Sequence, residues 1–337
     1  MSAIWLSWEN HRRSRELSRL LDVPFEVIRK APVKRLNPWW PAFVSLCTLL
    51  LTDADTVIVQ NPSLLLTSIA CWLKPFKKYR LIQDLHSYFA QHIDVARGAR
   101  AKVYRFLSRY CIARADLTIV TNRALKDLID SLGGRGFVLQ DAIPAFPDGR
   151  ARPREVERAA VVYICTYSDD EPIREVFDAA ARLEDVADVY VTGRIPRTLK
   201  TWRLPSNVHL TDFLPEEDYL ALLRSADAII GLTTREYTLL CGAYEGLAMR
   251  KPLILSNTES LKEYFGEMMV YVENEGPSIA DGVRRLLASK PYFDRHLPDF
   301  VSELEKSWNE RFKHLKDFVR PPVAGGKAVA PAGAKHP

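Results

Sequence analysis

Short apolar runs recur along the chain, each followed by a stretch whose apolar positions fall three and four apart. Residues 3–8, 25–28, 56–60, 79–83, 116–121 and 136–140 are such runs and read as strands buried on both faces. Between them, residues 14–21, 41–51, a segment reaching about Leu73, 99–113 and 123–132 read as helices. Strict alternation of this kind predicts a parallel sheet with helices on its faces. A second series follows, with strands at 160–165, 188–193, 208–211, 227–232, 252–256 and around Val270. Helices are expected at 172–183, after Pro215, across Leu240, Tyr244, Leu247 and Ala248, and at 260–265 and 278–288.

Residues 141–154 carry proline and charge without helical period and separate the two series. The division expected is a domain at 1–145, a linker at 146–156 and a second domain at 157–293. Leu297, Val301, Leu304, Trp308, Phe312, Leu315 and Phe318 then form an apolar stripe at helical spacing, so a helix over 294–320 must bury that face. The Pro-, Gly- and Ala-rich tail at 321–337 is expected to be disordered.

The 337 residues, 47% of them apolar, suit two globular domains. Five dispersed cysteines without a CxxC pair suggest a reduced, cytosolic, metal-free protein. No apolar run reaches the length of a membrane span, so the chain is not expected to cross one. Charge divides unevenly. Residues 1–150 hold 22 Lys and Arg against 13 Asp and Glu, and the remainder holds 25 against 29. A basic first half suits anionic lipid, phosphorylated substrates or nucleic acid, but no nucleic-acid recognition motif accompanies it, so nucleic acid is not an expected partner. Residues 99–114 mix Arg100, Lys102, Arg105 and Arg109 with Tyr104 and Phe106, which suits either peripheral contact with an anionic membrane or ordinary packing on the sheet.

Candidate chemistry clusters where strands end. The first strand-to-helix connection lacks a glycine-rich fingerprint and offers Glu9, Asn10, His11, Arg12 and Arg13, groups suited to polar contacts with an acceptor. The strand at 79–83 is expected to deliver Asp84 and His86 to the crevice beyond its carboxyl end. Gly193 and Arg194 follow the second strand of the second series. The stretch from Thr234 to Ser256 places Leu239, Leu240, Gly242 and Glu245 at a loop and helix start, where backbone N–H groups attract anions.

Two doubly wound halves, an acid on the helix after this loop and the phrase YEGLAMRKPLIL resemble the GT-B glycosyltransferases, particularly retaining family four, whose EAxAxGxPVI segment is similar. The phrases VIVQNP and YRLIQDLHSYF resemble the first domain of these enzymes and of the dolichol-pathway β-1,4-mannosyltransferases. The resemblance implies two Rossmann-like domains facing across a cleft, with the last helix returning to the first domain. It implies that Glu245 binds the ribose of a nucleotide-sugar, that backbone around Leu239 to Gly242 holds its diphosphate, and that His86 lies beside the transferred sugar. Two departures stand out. Tyr237 occupies the position of the family's first Glu, with Glu236 one residue earlier, and residues 168–171, Ser-Asp-Asp-Glu, are acidic where the family has donor-phosphate cations. Arg194 is the expected substitute. The function expected is transfer of a sugar from a nucleotide-sugar to a glycan or lipid-linked acceptor, without cofactor or metal, in the cytoplasm or at the inner face of the membrane. Asp84 or Glu9 would be the base if configuration inverts. A nucleotide-sugar epimerase and a non-catalytic glycan- or nucleotide-binding subunit are the alternatives.

Overall fold

The computed structural model describes residues 2–29, 39–61, 63–85, 98–151 and 158–320. Two six-stranded sheets, parallel throughout, account for its strands. The first contains β1 (Ala3–Ser7), β2 (Phe25–Val27), β3 (Thr56–Asn61), β4 (Arg80–Leu85), β5 (Leu117–Val120) and β6 (Gly136–Val138), ordered β2-β1-β3-β4-β5-β6. Its helices are α1 (Arg12–Leu20), α2 (Trp40–Leu51), α3 (Leu64–Lys77), α4 (Ala99–Arg114) and α5 (Arg123–Ser131). The second contains β7 (Ala159–Tyr163), β8 (Ala187–Thr192), β9 (Val208–Asp212), β10 (Ala228–Gly231), β11 (Leu253–Ser256) and β12 (Val270–Val272), ordered β12-β11-β10-β7-β8-β9. With it go α6 (Ile173–Ala181), α7 (Glu216–Ser225), α8 (Cys241–Ala248), α9 (Glu259–Phe265) and α10 (Gly276–Ala288).

The continuous apolar character of the strands has a direct cause, since both faces of each sheet are covered. Every residue of β5, β10 and β11 is buried. On one face of the first sheet Trp5, Ile58, Ile82 and Ile119 pack with Leu17 and Leu21 near α1 and with Leu315 and Val319. On the other, Leu6, Val57, Val59 and Leu81 pack with Leu49, Leu66, Ala70 and Cys111 from α2, α3 and α4. In each sheet the chain reverses direction beside its first strand, between β1 and β3 and between β7 and β10. Such switch points open a crevice at the carboxyl ends of the strands.

The last helix, α11 (Lys290–Val319), joins the two halves. Leu297 and Val301 pack into the core of the second sheet, and Leu315 and Val319 into that of the first, all at most 2% exposed. Each such side chain contributes roughly 1.5–3 kcal/mol of apolar burial. Trp308 Nε1 donates to the Gln140 carbonyl at 2.8 Å, and Thr56 Oγ1 donates to the Val319 carbonyl at 3.2 Å. The last helix thus packs back on the first sheet, as the resemblance implied. No helix among the described residues is long and apolar enough to cross a membrane.

Several element boundaries differ from the sequence reading. α1 begins at Arg12 rather than Ser14, because His11 takes the extended backbone of an N-cap. α3 continues past Leu73 to Lys77, since Pro75 falls in its last turn and forfeits only one rung of the ladder. α11 starts at Lys290 and runs through Pro298. β4 extends to Leu85, so Asp84 lies inside the sheet, paired in register with Gln60 and Ile119, rather than beyond its end. His86 and the tail at 321–337 lie outside the described residues, as do residues 152–156 of the linker expected at 146–156.

Candidate active site in the cleft

A cavity of about 800 Å³ opens at the switch point of the second sheet. Ile164 and Cys165 continue from β7 into its wall, Gly231 ends β10 there, and Leu239, Leu240, Cys241 and Gly242 bring in the start of α8. Arg12, at the start of α1 beyond the first strand of the other sheet, reaches in from the opposite side. The first turn of any helix leaves backbone N–H groups without intrahelical partners, and here those of α8 begin at the cavity wall.

Glu245 stands on α8, whose buried side is taken by Ala243, Tyr244 and Leu247. Its carboxylate is 16% exposed and both oxygens are engaged. Oε2 accepts from the Tyr219 hydroxyl at 2.5 Å, and Oε1 lies 3.3 Å from Arg12 Nη1. Burial, reinforced by the neighbouring Glu245 charge, pushes the Tyr219 hydroxyl well above its ordinary range and keeps it a donor. Arg12 also pairs with Glu16 at 2.8 Å and lies 6.0 Å from the centre of the Phe146 ring. Two elements of the second half and one of the first therefore meet at a single carboxylate.

Two acids of the loop after β7 are engaged by the protein itself, while Asp169 is exposed. Glu171 accepts from the backbone N–H of Thr166 at 2.9 Å and of Ser168 at 2.8 Å, so it caps its own loop. Asp170 accepts from Thr233 Oγ1 at 2.7 Å and pairs with Arg235 at 3.2 Å. Burial works against the Asp170 charge, but hydrogen bonds from Ser168 and Thr233 and the nearby Arg235 outweigh it and hold the carboxyl below its usual range. Gly193 closes the wall beside this loop with φ of +95°, and a Cβ there would stand 2.2 Å from the Cys165 carbonyl oxygen. Arg194 is exposed at the cavity, its guanidinium carbon 5.9 Å from the Phe213 ring centre, with no ion-pair partner among the described residues.

Of the residues selected from sequence, the cavity gathers Glu245, Gly242, Leu240, Leu239, Arg194, Gly193 and Arg12. Tyr237 and Glu236 do not line it. The Tyr237 carbonyl accepts from Asn122 Nδ2 of the first half at 3.0 Å, while the Glu236 carboxylate accepts from Ser260 N at 3.0 Å and caps α9. Glu9 and Asn10 are exposed on the β1–α1 connection, and His11 is half-buried at the N-cap.

Arg13 and Asp84 lie inside the first sheet. Both side chains are buried, at 2% and 1% exposure, and they pair with each other at 3.2 Å. Arg13 also bonds Asp141 and donates to the Leu139 carbonyl at 2.7 Å. The helix period explains this. With α1 starting at Arg12, Arg13 shares the inner face with Leu17, so its guanidinium points into the sheet rather than toward an acceptor. Arg235, Tyr219 and Phe146 are cavity residues that the sequence did not reveal. Tyr219 lies on a helix whose visible signal was its acidic first turn, and Arg235 gains meaning only from Asp170, far away in sequence. Among the described residues no group of three or more His, Cys, Asp or Glu could hold a metal ion.

No family model matches this chain, and no curated protein matches it in sequence. Solved structures match over nearly its whole length. Sucrose-phosphate synthase from Thermosynechococcus elongatus is 13% identical, with 95% of this chain and 98% of that chain covered and a TM-score of 0.74. Anabaena HepE in complex with UDP-glucose is 14% identical, covering 94% and 90%, with a TM-score of 0.66. The trehalose-6-phosphate synthase OtsA is 13% identical, covering 91% and 80%, with a TM-score of 0.62. At such identities the likeness carries architecture alone, and that architecture, two facing parallel-sheet units tied by a returning last helix, is the GT-B glycosyltransferase fold.

Proposed function

We propose that this chain transfers a sugar from a nucleotide-sugar, with residues 157–293 holding the donor and residues 1–145 presenting a glycan or lipid-linked acceptor across the cleft. The observation that carries the reading is Glu245. It is a carboxylate 16% exposed in a cavity of about 800 Å³ that is lined also by the amino end of α8 and by Arg194. A ribose offers two hydroxyl donors to such a carboxylate, and a diphosphate offers charge to helix N–H groups and to arginine. As the glycosidic bond breaks, negative charge grows on the departing diphosphate, and these fixed donors would stabilise it without a metal ion. With Asp84 enclosed by the sheet and paired with Arg13, Glu9 is the exposed carboxylate of the β1–α1 connection left to take an acceptor proton if configuration inverts.

Calorimetric titration with UDP-, GDP- and ADP-sugars tests the donor site. HepE, captured with UDP-glucose, makes that compound the first to try. One class should bind, and Glu245→Gln should weaken it roughly ten- to a hundredfold by removing charge-assisted hydrogen bonds worth about 1.5–3 kcal/mol. Absence of binding by every nucleotide-sugar rejects the proposal. A non-catalytic nucleotide-binding subunit is the second reading, favoured by Glu236 being turned away to cap α9. Tight donor binding with neither transfer nor donor hydrolysis would select it.

A further inference from the structure

α2, α3 and α4 lie side by side on the face of the first sheet opposite α1 and α11. Their inner sides fill the core, but their outer sides are unlike those of solvated helices. The three helices, of 12, 14 and 16 residues, contain no Asp or Glu and seven Lys or Arg, and α2 contains no charged residue at all. Large rings stand outward from each. Phe43 on α2 is 59% exposed, Trp72 and Phe76 on α3 are 60% and 74%, and Phe106 on α4 is 70%, with Trp39 just before α2 at 74%. The rings pair along the helices, Trp40 with Phe43 at 6.4 Å and Trp72 with Phe76 at 6.3 Å between centroids. Lys102 and Arg109, both exposed, flank Phe106 on the outer side of α4.

Monomeric proteins rarely leave an apolar surface of this kind to water, so it marks a contact. The charge pattern decides what the contact is. Two of the seven cations are answered by acids beside the helices, Lys74 by Asp116 at 2.8 Å and Lys77 by Asp53 at 4.0 Å, but a second copy docked by two-fold symmetry would still set the exposed Lys102 and Arg109 against cations. An anionic bilayer satisfies both components, accepting aromatic rings at headgroup level while phosphates meet the basic side chains around them. We propose that the outer face of α2, α3 and α4 docks this protein peripherally on an anionic lipid membrane. The contact is interfacial, because none of the three helices meets the length and hydropathy of a span. It is independent of the donor site, and it would hold even if the cleft bound no nucleotide.

Co-sedimentation of the full chain with vesicles of phosphatidylcholine, alone or mixed with phosphatidylglycerol, tests the proposal. The protein should partition onto the mixed vesicles and release as salt is raised. Trp72→Ser combined with Phe76→Ser should lower partitioning on the order of tenfold by removing the inserted rings. Lys102→Glu combined with Arg109→Glu should lower it to a similar extent, on the order of tenfold, and remove most of the preference for anionic lipid. All four side chains are outward, so an unchanged melting temperature certifies each variant as folded. Equal partitioning on both vesicle types, or indifference to both variants, overturns the proposal. So does a dimer in light scattering that the aromatic variant dissolves while vesicles bind neither protein.

Discussion

Arg13→Met is the substitution that most sharply separates a structural from a contact role on the β1–α1 connection. The Arg13 guanidinium is 2% exposed and joins Asp84 in β4, the Leu139 carbonyl after β6 and Asp141 at the start of the passage to the second sheet. Asp141 is 27% exposed and can recover water, so its share is small. Asp84 is 1% exposed and cannot. Removing one member of a buried pair costs about 3–5 kcal/mol, because the other charge loses its counter-ion. With a urea slope of roughly 2 kcal/mol/M for a unit of this size, the first transition should move down by about 1.5–2.5 M. Pairing Arg13→Met with Asp84→Asn should recover at least about 1 kcal/mol relative to additivity, since it removes the stranded charge. Tryptophan fluorescence suits the assay, because Trp5 is fully buried in the same sheet. A midpoint within roughly 0.5 M of the parent protein's, accompanied by loss of transfer to acceptor, would refute the buried-hub account and restore Arg13 as an acceptor contact.

Gly193→Ala should destabilise the second unit by roughly 2 kcal/mol or more, since the added Cβ meets the Cys165 carbonyl at 2.2 Å and φ is +95°. Retention of both the melting temperature and nucleotide affinity would show that the loop yields freely. Asp170 has a depressed carboxyl in the folded protein, so it stabilises above its unfolded-state value and the benefit disappears as pH falls through the lower folded value. Asp170→Asn should therefore lower the melting temperature at neutral pH and flatten the acid limb of the stability–pH curve below the ordinary carboxylate range. An acid limb identical to the parent protein's would count against the Asp170–Arg235–Thr233 cluster.

The architecture was legible because its signal is local and repeated. A buried parallel strand must be apolar along its length, and twelve such runs alternating with helical spacing leave few other folds. The stripe from Leu297 to Phe318 likewise announced a helix with two places to bury itself, and Leu297 and Leu315 occupy them. The site was less legible wherever a side chain's direction depended on helix phase or on a distant partner. Arg12 and Arg13 are neighbours in the chain, yet a two-residue difference in where α1 begins sends one to the cleft and the other into the core. The acidic run after β7 looked hostile to phosphate from sequence, but Glu171 spends its charge on its own loop and Asp170 on Arg235 and Thr233. Arg194 lines the cavity near that wall, together with Asp212 and Glu216.

The surplus of positive charge in the first half therefore does not act as one field. Part of it is internal, with Arg13 neutralised inside the sheet. Part of it secures the returning helix. Arg80 and Arg135 bracket the Phe318 ring at 5.1 and 5.3 Å. Part of it, Arg12, crosses the cleft to Glu245. Another part lies on α3 and α4 among exposed rings, where Lys74 pairs with Asp116 at 2.8 Å and Lys102 and Arg109 are exposed. Net charge over a segment cannot distinguish these destinations, because it averages a desolvated hub with a solvated face. Lys102 and Arg109 face solvent among those rings, while Arg12 couples the two halves at the carboxylate proposed to hold the donor. A ribose hydroxyl donating to Glu245 Oε1 would share that oxygen with Arg12 Nη1, and because a carboxylate oxygen can accept more than one hydrogen bond, a bound donor and the cross-cleft ion pair can coexist at that atom.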